Sequence, residues 1–380
     1  MEIKELRNKI DEIDKQLVDL FGKRMNVSAQ VAEYKREHGL PVLDASRERE
    51  LLAKISELAG DEMEEYARVL YSTILDLSRS YQHRSLCQIP KLSQEISDAL
   101  ENTPKLFPPK AIVACQGVEG AYSQIAAEKL FRAPSIMYFS SFDGVFSAID
   151  KGLCKYGVLP LENSTAGSVN RIYDLMIDHD FRIVRSLRLK VDHNLLAKPG
   201  VTLSDIKEIF SHEQAIHQSE SFLRSLTGVK VTVCANTAMA AKMVSESDRS
   251  DVAALSSRFC AEQYGLNIVK SSVQDNQNNY TRFICISKNA EIYPGADRTS
   301  IMMVIPHKPG SLYRILSRFY ALGVNLTKLE SRPIPNRDFE FMFYFDIESS
   351  VYSPQLTMLF GELEASCEEF RYLGTYSEII

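Results

Sequence analysis

Three groups of residues have types and spacings that could do chemistry. Between Tyr156 and Arg171 the chain reads Y-G-V-L-P-L-E-N-S-T-A-G-S-V-N-R. The apolar run Gly157 to Leu161 stops at Glu162 and Asn163, the pattern of a buried strand ending in a polar loop. Asn163, Ser164, Thr165 and Ser168 then precede the periodic apolar residues Val169, Ile172, Leu175 and Met176, which predicts a helix start there. Side-chain donors and free backbone N–H groups at such a start favour an anion. Ordinary helix capping accounts for the same residues equally well. The second group is Asn278-Asn279-Tyr280-Thr281-Arg282-Phe283, where a hydroxyl, a guanidinium and an aromatic ring adjoin. In a strand, Thr281 and Phe283 share one face and Arg282 takes the other. The third is Arg24, a cation in an otherwise apolar stripe.

That stripe runs Ile3, Leu6, Ile10, Ile13, Leu17, Leu20, position 24, Val27, Val31 and Tyr34, with spacings of three and four throughout. This is a helix–helix seam. A helix of this length is roughly 45–50 Å long, too long to be covered by a small three-helix monomer, so a partner chain is implied. An unpaired buried guanidinium is costly, so Arg24 must meet an anion from the protein or a ligand. Arg7 and Lys35 each follow a seam residue by one position and lean the same way. Arg7 and Arg24 lie roughly 25 Å apart along the axis, too far for one small dicarboxylate to touch both. Arg7 should therefore act from the other subunit. Gly39 and Pro41 end this helix, Asp44 can cap the next, and Gly60-Asp61 breaks that one near Leu58. A third helix carries Met63, Tyr66, Leu70, Ile74, Leu77 and Tyr81 inward, with Ser78 and Gln82 one turn apart on one face.

A chain of 380 residues is too long for one ordinary core. Two or three domains are expected. There is no stretch of eighteen apolar residues, and M-E-I-K-E-L lacks the order of a signal peptide, which predicts a cytoplasmic protein. Net charge −6 and a pI near 5.8 give no basic footprint for nucleic acid or an anionic membrane. The seven cysteines, Cys87 among them, are odd in number and mostly in apolar runs, as buried thiols are. His212 and His217 are five apart rather than the four of a zinc-protease helix, and no metal site is expected.

The N-terminal residues, in this order and spacing, resemble the all-helical chorismate mutases. The match covers about residues 1–82, with L-R-x-K-I at the start, P-V-x-D-x-x-R-E-R at 41–49, and Ser78 with Gln82. The resemblance implies a domain-swapped dimer that holds chorismate in a compact form. Arg7 of the other copy and Arg24 would bind its two carboxylates. Lys35 and Gln82 would meet the ether oxygen, Asp44 and Glu48 the ring-hydroxyl side, while Arg47 and Ser78 complete the site. The rearrangement is pericyclic, so no nucleophile is needed.

Residues 87–109 are rich in proline and polar residues and read as a linker, with one short helix near Gln94 to Leu100. From Ala111, short β-branched runs alternate with helical patterns, which predicts an α/β region with mostly parallel sheets. Strands are expected at 111–115, 136–139, 156–161, 182–190, 207–211, 229–234, 251–255 and 268–273. Gly117-x-x-Gly120 is a poor dinucleotide fingerprint, which excludes a nucleotide cofactor. Taken together, G-x-x-G-x-Y-S, P-L-E-N-S with Gly167, S-H-x-Q-A, Asn236-Thr237-Ala238 and N-x-T-R-F resemble prephenate dehydratase over residues 111–287. The resemblance implies two lobes like those of periplasmic binding proteins, with the site between them and no metal or organic cofactor. Thr281 would assist departure of the ring hydroxyl, and Asn163, Ser164, Gln214, Arg282 and Phe283 would recognise or support the substrate. Glu213 departs from the family's usual proline and is expected to face solvent, since a carboxylate turned inward would repel a dianion.

After a connector at 289–297, the order strand 300–305, helix 310–322, strand 324–331, strand 338–347, helix 354–365, strand 371–375 is a split β-α-β-β-α-β unit. Its sheet is too small to stand alone comfortably, so pairing with a second copy is expected. Pro309-Gly310-Ser311-Leu312 and Glu330-Ser331-Arg332-Pro333 resemble an ACT domain, with Ser311 in place of the usual alanine. An effector site for phenylalanine at Gly310, Ser311, Leu312, Glu330, Ser331 and Arg332 is thereby implied.

The sequence thus predicts a multidomain protein: an all-α intertwined helical dimer module over 1–86, a linker over 87–109, a two-lobed α/β domain over 110–288, and a ferredoxin-like α+β ACT domain over 298–376. The expected function is conversion of chorismate to prephenate and then phenylpyruvate, by a homo-oligomer, dimer or tetramer, inhibited by phenylalanine. The alternative is a non-enzymatic sensor that only binds aromatic acids.

Overall fold

The computed structural model describes residues 3–86, 91–334, 337 and 340–380. They form two compact units, one made of Met1–Gln94, Ile305–Gly323 and Ser353–Phe370, the other of Glu95–Val304, Val324–Tyr352 and Arg371–Ile380.

In chain order the elements begin with helices α1 (Ile3–Glu37), α2 (Ala45–Leu86) and α3 (Lys91–Asn102). There follow β1 (Ile112–Gln116), α4 (Tyr122–Leu130), β2 (Ser135–Phe139), α5 (Phe142–Asp150), β3 (Tyr156–Asn163), β4 (Gly167–Ser168), α6 (Asn170–Asp178) and β5 (Arg182–Lys190). A second run holds β6 (Asn194–Ala197), β7 (Glu208–Ser211), α7 (Glu213–His217), α8 (Glu220–Arg224), β8 (Lys230–Val233), α9 (Thr237–Glu246), β9 (Val252–Ser256), α10 (Arg258–Gln263) and β10 (Asn267–Lys270). The chain ends with β11 (Tyr280–Ser287), β12 (Arg298–Val304), α11 (Ser311–Ala321), β13 (Asn325–Pro333), β14 (Phe341–Glu348), α12 (Pro354–Ser366), β15 (Glu369–Tyr376) and β16 (Glu378–Ile379).

In the first unit, α1 and α2 are both long and mostly uncovered. Ile3, Ile10, Ile13, Leu17, Leu20 and Val27 of the α1 stripe are each more than half exposed in the single chain. Met63, Tyr66 and Leu70, expected to point inward, are also exposed. An apolar stripe of this size has no reason to persist in water unless another surface covers it. Asp44 caps α2 as expected, its Oδ1 accepting the Arg47 N–H at 3.0 Å. The expected break also lies where glycine permits it: α2 is two helices joined at Gly60, whose φ of 69° and ψ of 167° are not helical.

The second unit is built on three sheets. The first has the order β16-β5-β11-β3-β1-β2, with β4 paired to β3, and the second β10-β6-β9-β7-β8. Neither is mostly parallel. In the first, β1 runs parallel to β2 and β3, but β11 is antiparallel to both neighbours. The reason is topological: the chain leaves the first sheet after β5, builds the second, and re-enters with β11 between β3 and β5. The two crossing segments are tied together, Val191 N–H to the Asn279 carbonyl and Val273 N–H to the His193 carbonyl, each at 2.8 Å. The strand expected at 268–273 therefore stops at Lys270, where the crossing begins.

The third sheet, β13-β14-β12-β15, follows the expected strand–helix order within about three residues, although Asp338 lies outside the described residues. One of its faces is covered within the chain. Tyr344 packs edge-on against Tyr173 of α6 at 5.1 Å, and Met302, Val304 and Met342 share a buried cluster with Ile172 and Met176. The stretch read as a linker is ordered against this unit from Glu95 onward, with Glu95 paired to Arg182 at 2.7 Å and the Phe107 ring tilted against Phe131 at 4.9 Å. Cys87 and Pro90 lie outside the described residues.

Candidate active sites

A cleft of about 550 Å³ opens between the first and second sheets. Gln116, Ser123, Asn163, Thr281 and Phe283 line it from one side; His212, Gln214, Asn236 and Thr237 line it from the other. No lysine, arginine, aspartate or glutamate is among its lining residues. Positive potential comes instead from backbone. The ten-residue α9 presents its N-terminus there, with the Asn236 side chain accepting the Met239 N–H at 2.7 Å. Helix α4 also starts at the cleft, and no side chain caps its first turn. Free N–H groups at two helix starts suit a carboxylate-bearing ligand without a formal cation.

Asn163 organises one wall. The expected helix is present as α6 from Asn170, but the polar stretch before it does not cap it: it forms a tight β3–β4 hairpin, with Asn163 opposite Gly167. Gly167 takes φ 81°, which a side chain would resist. The Asn163 Oδ1 accepts the backbone N–H groups of Thr165 and Ala166, both at 3.0 Å. Those groups can only donate, so the amide orientation is fixed. Its Nδ2 must then donate to Asn279 Oδ1 at 2.7 Å and to Thr281 Oγ1 at 3.0 Å. A threonine hydroxyl that accepts from an amide keeps its own proton free, and Thr281 faces the cleft. Gln218 bridges from the second lobe, donating to Thr165 Oγ1 at 2.7 Å and accepting from Asn279 at 3.0 Å. The same Gln218 oxygen meets His193 Nε2 at 3.0 Å, and burial lowers the pKa of that imidazole.

Two of the residues expected to recognise or support the substrate do not line the cleft. Arg282 points away, as the strand alternation predicted, and is buried among Asp346, Glu162 at 3.2 Å and the Tyr376 hydroxyl at 2.8 Å. Burial opposes its charge, but Tyr376, Asp346 and Tyr344 outweigh that and the net pKa shift is upward. It is a structural cation, a role that a T-R-F string alone does not reveal. Ser164 is consumed by the backbone, donating to the Asn278 carbonyl at 3.1 Å and accepting the Tyr280 N–H at 2.9 Å. Glu213 is exposed and lies 4.0 Å from His217, outside the cleft, as expected.

In the helical unit, Arg24 is half-buried. It donates to the hydroxyl of Ser78 and forms no ion pair with a carboxylate among the described residues. Ser78 and Gln82 are buried, and the Gln82 Oε1 has no hydrogen-bond partner. Lys35 donates to the Val42 carbonyl at 2.6 Å. Glu48 pairs with Arg79, whereas Arg47 is exposed beside Glu50 at 3.4 Å and Arg7 is exposed on α1. A half-buried cation facing a hydroxyl, next to an unsatisfied buried amide oxygen, is a polar site without its counter-charge.

A family model for prephenate dehydratase matches residues 113–291, and one for chorismate mutase type II matches residues 6–83. The bifunctional chorismate mutase/prephenate dehydratase of Aquifex aeolicus (strain VF5) is 30% identical over 381 residues, spanning 100% of this chain and 99% of its own. The chain belongs to this bifunctional family. The arogenate dehydratase/prephenate dehydratase 2 of Arabidopsis thaliana is 35% identical over 314 residues, 80% of this chain and 81% of that one. The structure of prephenate dehydratase from Arthrobacter aurescens, in complex with L-Phe, superposes with a TM-score of 0.64 at 28% identity over 70% of this chain and 89% of that one. The cleft includes residues that the motif strings left out. His193 lies at a chain crossing between lobes, which no local spacing marks, and Gln218 closes α7 at the cleft wall. Gln218 follows Gln214 by one helical turn, which is the one signal available for it.

Proposed function

We propose that the protein rearranges chorismate to prephenate between helices of two copies of the chain and then converts prephenate to phenylpyruvate in the cleft. Residues 1–86 supply the mutase, 110–288 the dehydratase, and 298–376 a regulatory unit of ACT type, acting in the cytoplasm.

In the mutase, breaking the ether C–O bond and forming the new C–C bond are concerted, so the protein contributes conformation and charge. Arg24 and the second copy's Arg7 would hold the carboxylates, with Lys35 and Gln82 at the ether oxygen and Asp44, Arg47, Glu48 and Ser78 around the ring. The exposed α1 stripe supports a partner chain, which would bring its own Arg7 to the site. In the dehydratase, the ring C–C bond to the carboxylate breaks and carbon dioxide leaves. Its electron pair aromatises the ring and expels the hydroxyl, which departs as water with a proton delivered through the Thr281 hydroxyl. Gln214 and Phe283 would hold the substrate beside it. The single observation that carries this step is the Asn163 amide, whose fixed orientation leaves the Thr281 proton free to donate.

Gly310 takes φ 78° at the start of α11, and Ser311 accepts from Arg314 at 3.1 Å. Glu330 and Arg332 of β13 are half-buried, while Ser331 is exposed. With Leu312, these residues are proposed to bind phenylalanine.

The decisive experiment supplies pure protein with chorismate and follows phenylpyruvate. Formation above background is expected. A protein that binds chorismate yet forms no product is a sensor and overturns the enzyme reading. In the same assay, saturating phenylalanine should lower the rate and change the scattering profile; if neither changes, the regulatory assignment fails.

A further inference from the structure

Strand β13 places alternate residues against the dehydratase hairpin. Lys328 contacts the carboxylate of Glu162 and lies 3.0 Å from the Ser168 hydroxyl, which itself donates to Glu330 at 2.7 Å. Glu162 and Ser168 are register partners across β3 and β4. Lys328 therefore bridges the two strands of the hairpin at the rung beside Asn163. Glu162 is also 3.2 Å from Arg282, whose neighbours Thr281 and Phe283 line the cleft. The Lys328 side chain is only 14% exposed, and its ammonium lies 5.5 Å from the Tyr173 ring. A cation so enclosed, with two specific partners on facing strands, fixes their separation.

We propose that Lys328, with Glu330 behind it, is a positioning residue of the dehydratase: a clamp from the C-terminal sheet that sets where Asn163 aims the Thr281 hydroxyl. This rests on the dehydratase reading of the cleft. The clamp touches no substrate. Its loss should loosen alignment rather than binding, because a misplacement of about 1 Å costs rate far more than affinity.

The test measures prephenate turnover and chorismate turnover on the same full-length preparations. Lys328→Met should lower the dehydratase kcat about tenfold or more, with KM changed less than about threefold and mutase turnover intact. Lys328→Arg, which keeps charge and donors, should recover most of the lost rate. A Lys328→Met kcat within about twofold of the unsubstituted protein overturns the proposal. Should Lys328→Met lose both activities, Glu330→Gln decides, since it weakens the clamp but keeps the buried cation. A dehydratase kcat lowered about threefold or more with the mutase intact then supports the clamp, and an unchanged kcat overturns it. If the unsubstituted protein makes no phenylpyruvate from prephenate, the dehydratase reading itself has failed, and that result is separate from either variant.

Discussion

Thr281→Ala stops phenylpyruvate formation while prephenate still accumulates from chorismate. The expected loss in dehydratase kcat is about 10²- to 10⁴-fold, the range for removing a positioned proton donor. The substitution should not unfold the site. With the Thr281 oxygen gone, Asn163 Nδ2 still donates to Asn279 Oδ1 at 2.7 Å and to the Tyr280 carbonyl at 3.2 Å, so no buried donor is orphaned. The Asn163 Oδ1 keeps its two backbone donors and the Thr165 hydroxyl. Thr281→Ser retains the hydroxyl and should keep most of the rate, which separates proton delivery from shape. Equal loss of both reactions in Thr281→Ala would show instead that the two activities share a site.

How much of this could be read from residue order depends on how local the determinant is. The α1 stripe, the Gly60 break and the Asp44 cap are set within a turn or two of chain, and the structure has each at its expected place. Thr281 and Phe283 were assigned to one face by strand alternation, and both line the cleft. The failures lie where distant chain segments decide. Arg282 belongs to a buried cluster with Asp346 and Tyr376, residues 64 and 94 positions away, so neither its partners nor its structural role are visible in N-x-T-R-F. Asn163 to Ser168 have the composition of a helix cap, but the antiparallel return of β3 into β4 uses those side chains in a hairpin. Mixed sheets were missed because alternating strand and helix patterns do not record that β11 comes home from another lobe.

Arg24→Ala should weaken the mutase by about 2 kcal/mol or more in transition-state stabilisation, about thirtyfold in kcat/KM, with little change in the dehydratase. The setting of the guanidinium accounts for the loss. It occupies a seam position, is half-buried, and meets only the neutral Ser78 hydroxyl among its described side-chain partners. The unsatisfied Gln82 oxygen one turn from Ser78 adds a second polar group awaiting a partner. If a substrate carboxylate completes this pair, deleting the guanidinium leaves that carboxylate desolvated without compensation, and the penalty falls on binding and transition state together. Arg24→Lys should recover part of the loss, because an ammonium restores charge but not the planar fork that matches a carboxylate. The effect on assembly gives the opposite sign for the rival explanation. Were Arg24 merely a tolerated blemish in a helix–helix contact, alanine would make the stripe more apolar, tighten association of the chains and leave the mutase rate untouched. Measuring chorismate turnover alongside the association constant of the same variant separates the two.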